Sequence, residues 1–136
     1  MSVFCVISMV NNFYSFRDRF REEAFDHISV LERALFELDG DTSQTGLVED
    51  VFRALHSLKG GGGMFGFEKL SAFTHDLETV YDQIRNGKLL ISQRLLSITL
   101  RSVDLLMKLL LEEDANLPEV YKSYASIELE LQSLLN

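Results

Sequence analysis

The sequence predicts an all-α protein: an antiparallel four-helix bundle of up-down-up-down topology with an additional fifth helix at its C-terminus. Three observations support this prediction. Apolar residues recur at intervals of three and four positions, which is the period of an amphipathic helix. The 136 residues include a single proline. The polar stretches between the apolar ones are short, as in bundles whose consecutive helices run antiparallel.

The first two helices are predicted from the apolar pattern up to the glycine-rich segment. The stripe of the first helix is Phe13, Phe16, Phe20, Ala24, His27/Ile28, Leu31, Leu35 and Leu38. We expect Gly40 to end this helix in the left-handed conformation. The serine and threonine residues of segment 42–46 are expected to cap the second helix. That helix is expected to run from about Leu47 through four consecutive glycines and to end near 65–66.

Three further helices are predicted downstream. The third begins around Phe67, with a buried face and a polar stripe on the opposite side. The buried face is Leu70, Phe73/Thr74, Leu77, Val80/Tyr81 and Ile84, and the polar stripe is Glu68, Ser71, His75, Glu78 and Asp82. Asn86-Gly87-Lys88 is expected to end the third helix. Ser92 is expected to cap the fourth helix and Asn116 the fifth, with Pro118 in the first turn of the fifth.

The chain length fits one domain, which we predict to occupy residues 16–136. Residues 1–15 are predicted to be an N-terminal extension or leader. A helix extension, a packing arm and a leader are the alternatives for this segment. Its first ten residues are too short to span a bilayer and include no basic residue of the kind that starts a secretory signal.

Charge and cysteine content restrict the partners and the compartment. The formal net charge of −8 at pH 7 disfavours nucleic acid and membrane insertion, and a basic surface on a partner protein is the better match. Cys5 is the single cysteine, which excludes an internal disulfide. A single cysteine fits a reducing compartment, so a cytoplasmic location is expected.

Four consecutive glycines, residues 60–63, lie in the second predicted helix. Each glycine in a helix interior costs roughly 1 kcal/mol relative to alanine, so the block costs about 3–4 kcal/mol. At about 100° per residue, Lys59, Gly60 and Gly63 project on nearly the same side as His56. We therefore expect His56 to be the functional residue, beside a lysine and a helix face that another protein can approach closely.

The stretch His-Ser-Leu-Lys-Gly-Gly-Gly-Gly-Met-Phe-Gly-Phe, residues 56–67, closely resembles the phosphorylation-site motif of histidine phosphotransfer (HPt) domains. The resemblance is greatest to the HPt domains of CheA-type chemotaxis histidine kinases. The segment Thr74-His75-Asp76-Leu77-Glu78 matches the His-x-x-Glu of those domains in place. The resemblance covers about residues 16–110, is strongest from 52 to 78, and does not include the first fifteen residues.

The resemblance implies a role for each residue of the motif. His56 would be the phospho-acceptor through its Nε2, and Glu78 would hold the Nδ1–H of His56. Lys59 and His75 would neighbour the phosphoryl oxygens. Gly60, with Gly63 on the same face, would keep the site open for a docking partner.

The resemblance also implies a phosphoryl carrier of a two-component pathway. One partner would be the catalytic domain of a CheA-like histidine kinase, which binds ATP and Mg²⁺. The other would be a CheY- or CheB-like response regulator receiver domain, which binds Mg²⁺ and supplies the acceptor aspartate. The domain itself would hold no cofactor or metal and would be a phospho-acceptor rather than a catalyst. It would be either an excised piece of a histidine autokinase or a free-standing carrier.

Other interpretations of the sequence fit it less well. Gly61-x-Gly63-x-x-Gly66 matches the dinucleotide-binding pattern, but that pattern requires a preceding strand, and the residues before it have helical spacing. No Gly-Lys-Ser/Thr follows the glycines, as a P-loop requires. A di-iron bundle requires repeated Glu-x-x-His pairs, and the chain has one His-x-x-Glu in the reverse order. The alternative function is a helical interaction module that binds receiver domains without phosphorylation of His56.

Overall fold

The computed structural model describes residues 2–111 and 118–135, apart from the side chains at positions 13 and 14. It contains five helices: α1 (Val3–Gly40), α2 (Thr45–Met64), α3 (Glu68–Arg85), α4 (Gln93–Leu111) and α5 (Pro118–Leu135). The described residues include no strand. The predicted all-α class and the number of helices are therefore confirmed.

The first four helices form a closed bundle. Each packs against the next in sequence, and α1 also packs against α4, which closes the ring. The fifth helix lies outside the ring against α3 and α4. This is the predicted bundle with an additional C-terminal helix, and it places α2 and α3 side by side.

The core consists mainly of aliphatic side chains from all five helices. Burial of a leucine side chain stabilises the fold by about 1.5–3 kcal/mol. Three polar residues are buried in the described part of the chain, and each is hydrogen-bonded. The hydroxyl groups of Thr74, Thr99 and Ser102 each donate to a carbonyl four residues earlier in their own helix. The Tyr81 hydroxyl donates to Thr99 Oγ1 at 3.0 Å, and burial raises the pKa of Tyr81.

The end of α1 differs from the prediction. Gly40 is the last helical residue, and positive φ values occur at Gly66 and Gly87 instead. The connection is stabilised by an aspartate: Asp41 Oδ1 accepts hydrogen bonds from the Ser43 backbone N–H at 3.0 Å and from the Ser43 hydroxyl at 2.6 Å. These hydrogen bonds lower the pKa of Asp41. An aspartate-stabilised turn therefore replaces the glycine cap.

The same turn explains the start of α2, which the sequence placed two residues too late. The helix begins at Thr45, with Gln44 as an N-cap that makes no side-chain capping hydrogen bond. The prediction of a serine or threonine cap is wrong here because the helix begins at Thr45, so that Gln44 occupies the cap position and Ser43 lies one residue before it.

The other helix ends are largely as predicted. Gly87, with φ of 75°, follows the end of α3. Ser92 caps α4, because its Oγ accepts a hydrogen bond from the Leu95 N–H at 3.1 Å. Pro118 is the first residue of α5. The predicted Asn116 cap lies outside the described residues.

The N-terminal part of α1 is helical and exposed. Side chains with large exposed fractions are Val3, Phe4, Val6, Ile7, Met9 and Val10. Phe16 is 50% exposed, and the buried stripe begins at Phe20, so the prediction that Phe16 belongs to the core is wrong. The side chain of Phe13 lies outside the described residues. In the part of the chain that the structure describes, no helix has the length and hydropathy needed to cross a membrane.

Candidate functional site

His56 lies midway along α2 on the side that faces away from the core. Its neighbours Leu55 and Leu58 are fully buried, and the helical period turns His56 outward between them. The imidazole is 65% exposed. A group of another protein can therefore reach His56 without a change in the packing of the bundle.

Glu78 on α3 faces His56 across the groove between the two helices. Its Oε1 lies 3.5 Å from His56 Nδ1, and its side chain is only 13% exposed. This separation is at the outer limit of a hydrogen bond. Because a carboxylate accepts and cannot donate, the contact favours the tautomer with the proton on Nδ1. The lone pair of Nε2 is then free on the exposed side of the ring.

Lys59 holds this carboxylate in place. Its Nζ lies 3.0 Å from Oε1 and 2.9 Å from Oε2 of Glu78. The ammonium group offsets the desolvation of a carboxylate that is largely buried. His56, Lys59 and Glu78 thus form one connected cluster, and the lysine contacts the carboxylate directly.

The four glycines divide into two pairs with different surroundings. Gly60 and Gly63 are exposed. A Cβ at Gly60 would meet nothing within 4 Å, and one at Gly63 would meet only Ser71 Oγ at 3.4 Å. This pair leaves backbone accessible next to His56, and its role in the docking of a partner stays a prediction.

Gly61 and Gly62 instead permit close helix packing, which the sequence analysis missed. A Cβ at Gly61 would lie 2.2 Å from Phe20 Cε1 of α1, and one at Gly62 would lie 3.4 Å from the Phe67 carbonyl oxygen. The sequence does indicate that Gly62 is buried, because Gly62 follows Leu58 by four positions and continues the buried stripe of α2.

Three further residues support the site. Ser71 Oγ on α3 donates to the Lys59 carbonyl at 2.9 Å and links the two helices. Phe52 stacks near His56, with ring centroids 6.1 Å apart and an interplanar angle of 18°. The Arg85 guanidinium carbon lies 3.8 Å from the centroid of the Phe52 ring. The stacking of Phe52 near His56 could have been expected from the sequence, because residues four positions apart are neighbours on a helix surface.

Two other histidines lie outside this cluster of contacts. His75 is exposed on α3, one turn before Glu78, and its role near the phosphoryl oxygens stays a prediction. His27 is half-buried on α1. Within residues 2–111 and 118–135, no group of three or more His, Cys, Asp or Glu side chains is arranged to hold a metal ion.

Fold and site together define a helical bundle protein with an outward-facing histidine on α2, beside a lysine of the same helix and a carboxylate of α3. The family model of the Hpt domain matches residues 15–120. The chain belongs to the Hpt domain family.

The curated relatives include chemotaxis protein CheA of several organisms. That of Borreliella burgdorferi is 36% identical over 91 residues, which cover 67% of this chain and 10% of the relative. That of Rhizobium meliloti is 38% identical over 93 residues, which cover 68% of this chain and 12% of the relative. The chain therefore spans only about a tenth of the length of these relatives.

Two solved structures share the fold. The CheA phosphotransferase domain from Thermotoga maritima is 30% identical, with a TM-score of 0.68 and coverage of 72% of this chain and 93% of that domain. The phosphorylated P1 domain of CheA3 in complex with CheY6 from R. sphaeroides has a TM-score of 0.76 at 17% identity, with coverage of 88% of this chain and 98% of that domain.

Proposed function

We propose that this domain is a phosphoryl carrier of a two-component signalling pathway. His56 accepts the γ-phosphoryl group of ATP bound to the catalytic domain of a CheA-like histidine kinase. It then donates the group to an aspartate of a response regulator receiver. The observation that carries this proposal is the position of His56, exposed on one side and facing Glu78 with its Nδ1 on the other.

The chemistry follows from this orientation. Nε2 attacks the γ-phosphorus, the N–P bond forms, and the bond from phosphorus to the β,γ-bridging oxygen breaks so that ADP leaves. The proton stays on Nδ1, where the Glu78 carboxylate stabilises the positive charge that develops on the ring. In the second transfer an aspartate oxygen attacks the same phosphorus, the N–P bond breaks, and the ring returns to its neutral form.

Lys59 and the exposed glycines have separate roles in this proposal. The Lys59 ammonium lies against Glu78 and places positive charge near the phosphorylated ring, which favours the dianionic product. Gly60 and Gly63 leave space in which the partner's loops reach Nε2. His75 is proposed to contact the phosphoryl oxygens from α3.

Two solved domains of the same fold support the proposed partners, which are a kinase catalytic domain and a response regulator receiver. The matching Thermotoga maritima domain is a CheA phosphotransferase domain, and the R. sphaeroides domain of the same fold is phosphorylated and in complex with CheY6. The negative net charge of this chain, −8, is compatible with a partner that presents basic residues around its own active site.

The experiment is phosphorylation of the chain and of two variants by a CheA catalytic domain with radiolabelled ATP. His56→Gln should retain the fold, as judged by circular dichroism, and should lose the label completely because no nucleophilic nitrogen remains. His27→Gln, the matched control on α1, should be labelled like the unchanged chain. The label should be lost in acid, as expected of a phosphoramidate.

Labelling of the His56→Gln variant would overturn the assignment. Absence of label in every variant, together with receiver binding that survives the His56 substitution, would instead identify a non-phosphorylated interaction module.

A further inference from the structure

The aromatic residue next to His56 is only partly buried, and its ring is stacked near the imidazole. Phe52 precedes His56 by one turn of α2, and their ring centroids are 6.1 Å apart with planes inclined by 18°. This separation lies within the range of offset-stacked aromatic pairs. The ring of Phe52 packs against the core and is only partly buried.

Phe52 is itself fixed from α3. The Arg85 guanidinium carbon lies 3.8 Å from the Phe52 ring centroid, a separation at which the cation is attracted to the aromatic face. The guanidinium is held by two carboxylates, Asp82 at 2.9 Å on α3 and Glu49 at 3.6 Å on α2. Because these carboxylates come from both helices, the cation and the ring beneath it have one preferred arrangement.

His56 therefore has two contacts of different kinds. The contact to Glu78 restrains a single atom, Nδ1, at 3.5 Å. One atom contact leaves a largely exposed imidazole able to swing about its side-chain torsions. The stacked Phe52 ring restrains the plane of the imidazole, and the direction of the Nε2 lone pair lies in that plane.

We propose that Phe52, held by Arg85, is a positioning residue that sets the ring plane of His56 for in-line attack on phosphorus. This inference rests on the proposed phosphotransfer at His56. Attack requires the lone pair to point at the phosphorus, and a fixed ring spends more of its time in that orientation. Phe52 does not contact the phosphoryl group in this account, and it acts only through His56.

The first test measures the orientation of the His56 ring in the unphosphorylated chain by three-bond NMR couplings that report its χ1 and χ2 torsions, which together set the ring plane. The unchanged chain should show one dominant rotamer. Phe52→Leu, which keeps an apolar side chain but removes the ring, should show averaging over rotamers. Arg85→Gln should show partial averaging, because the Phe52 ring remains but is held less firmly.

The second test measures transfer from a CheA catalytic domain and ATP. Phe52→Leu should lower kcat about tenfold with KM within about twofold of the unchanged chain, because orientation and not docking is lost. Arg85→Gln should lower kcat by a smaller factor. Phe36→Leu, the same substitution at an exposed position of α1, is the control and should change neither constant.

The outcomes separate this proposal from the proposed function. A single His56 rotamer in Phe52→Leu, or a rise in KM with unchanged kcat, would overturn the positioning role. If the unchanged chain takes no label, the phosphotransfer proposal fails, and the NMR couplings still decide whether Phe52 fixes the ring. If Phe52→Leu fails to fold, the same couplings and rates in Arg85→Gln decide.

Discussion

The tautomer of His56 depends on a carboxylate that a different helix supplies. Glu78 lies on α3 with Oε1 3.5 Å from His56 Nδ1, and Lys59 binds both carboxylate oxygens. In the proposed function the charge on Glu78 serves two purposes: it faces the imidazole Nδ1, and it pairs with the lysine. A neutral side chain of the same shape should retain the packing and lose most of this effect.

Glu78→Gln should therefore lower the rate of His56 phosphorylation about tenfold or more, because the developing imidazolium loses its counter-charge. The measurement is the initial rate of label incorporation, with ¹⁵N NMR of the imidazole to report the tautomer. Glu68→Gln, on the same polar stripe of α3, is the control and should leave both unchanged. A normal rate in Glu78→Gln, with Nδ1 still protonated, would contradict the assigned role of the carboxylate.

Contacts within one helix were predictable at the residue scale, and contacts between helices were not. His56 and Lys59 share a face because they are three positions apart on α2. Glu78 was inferred from the family resemblance and not from spacing, because the helical period alone does not show which residue of α3 meets α2. Arg85 was missed for the same reason, since its contact with Phe52 depends on how the two helices pack.

At the scale of the helix, the glycine block of α2 combines two requirements. Gly60 faces open space and Gly61 faces the Phe20 ring. That ring is buried and lies against Phe65 and Phe67, with centroids 5.6 and 5.4 Å away. The ring is therefore surrounded and has little freedom to move aside.

Alanine substitutions at these two adjacent glycines should have opposite effects on stability. Gly60→Ala should stabilise the domain by up to about 1 kcal/mol, because it gains helix propensity without a new contact. Gly61→Ala should destabilise it by about 1–3 kcal/mol, because its Cβ would overlap the Phe20 ring. Urea denaturation monitored by circular dichroism measures both. Equal shifts of the two midpoints would show that Gly61 does not serve close packing.

Helix ends show the same limit on sequence-based prediction. Ser92 and Gly87 act through their own backbone neighbourhood, so their roles could be assigned from the sequence. A serine or threonine of segment 42–46 was expected to cap α2, but the residue before the first helical residue is Gln44. The residue type favours a cap, and the exact position at which the helix starts decides whether the cap forms.

The contact between α3 and α5 brings two acidic side chains together. Partial burial, a side-chain hydrogen bond with Asp76 and the negative charge of Asp76 raise the pKa of Glu128 from 4.5 to about 7. Burial, followed by the charges of Glu128 and Asp76, raises the pKa of Tyr124 as well. Between about pH 4.5 and 7 the folded state therefore holds more of the Glu128 proton than the unfolded chain does.

This proton makes the stability pH-dependent. A carboxyl group whose folded pKa lies above its unfolded value stabilises the fold at low pH, and this contribution is lost as pH rises through about 7. Because Glu128 is only half-buried, solvent screening limits the effect to about 1 kcal/mol or less, which corresponds to about 3 °C in Tm.

Glu128→Gln should raise Tm at pH 8 by about 3 °C and should have little effect at pH 5, because an amide resembles the protonated carboxyl group. Thermal unfolding followed by circular dichroism at both pH values is the measurement. Glu23→Gln, on the exposed side of α1, should show no such difference. A larger gain at pH 5 than at pH 8 would reverse the sign and contradict the raised pKa.

At the scale of the whole molecule, the two ends of the chain contribute differently to the bundle. The N-terminal turns of α1 expose Val3, Phe4 and Ile7. The C-terminal helix buries Val120, Ile127 and Leu131 against α3 and α4. Stability follows the apolar area removed from water, so length of helix alone does not decide what each end contributes.

Removal of residues 2–12 should therefore leave Tm within about 2 °C of its original value, since the short helical segment is marginal without packing. Removal of residues 118–135 should destabilise the domain by several kcal/mol, because each of three buried side chains is worth about 1.5–3 kcal/mol. Thermal unfolding of both truncated chains, with His56 labelling as the functional control, makes the comparison.

The first truncation should still be phosphorylated, because the cluster of His56, Lys59 and Glu78 lies on α2 and α3. A large loss of stability on removal of residues 2–12 would show that the N-terminal turns belong to the domain, against the predicted boundary at residue 16.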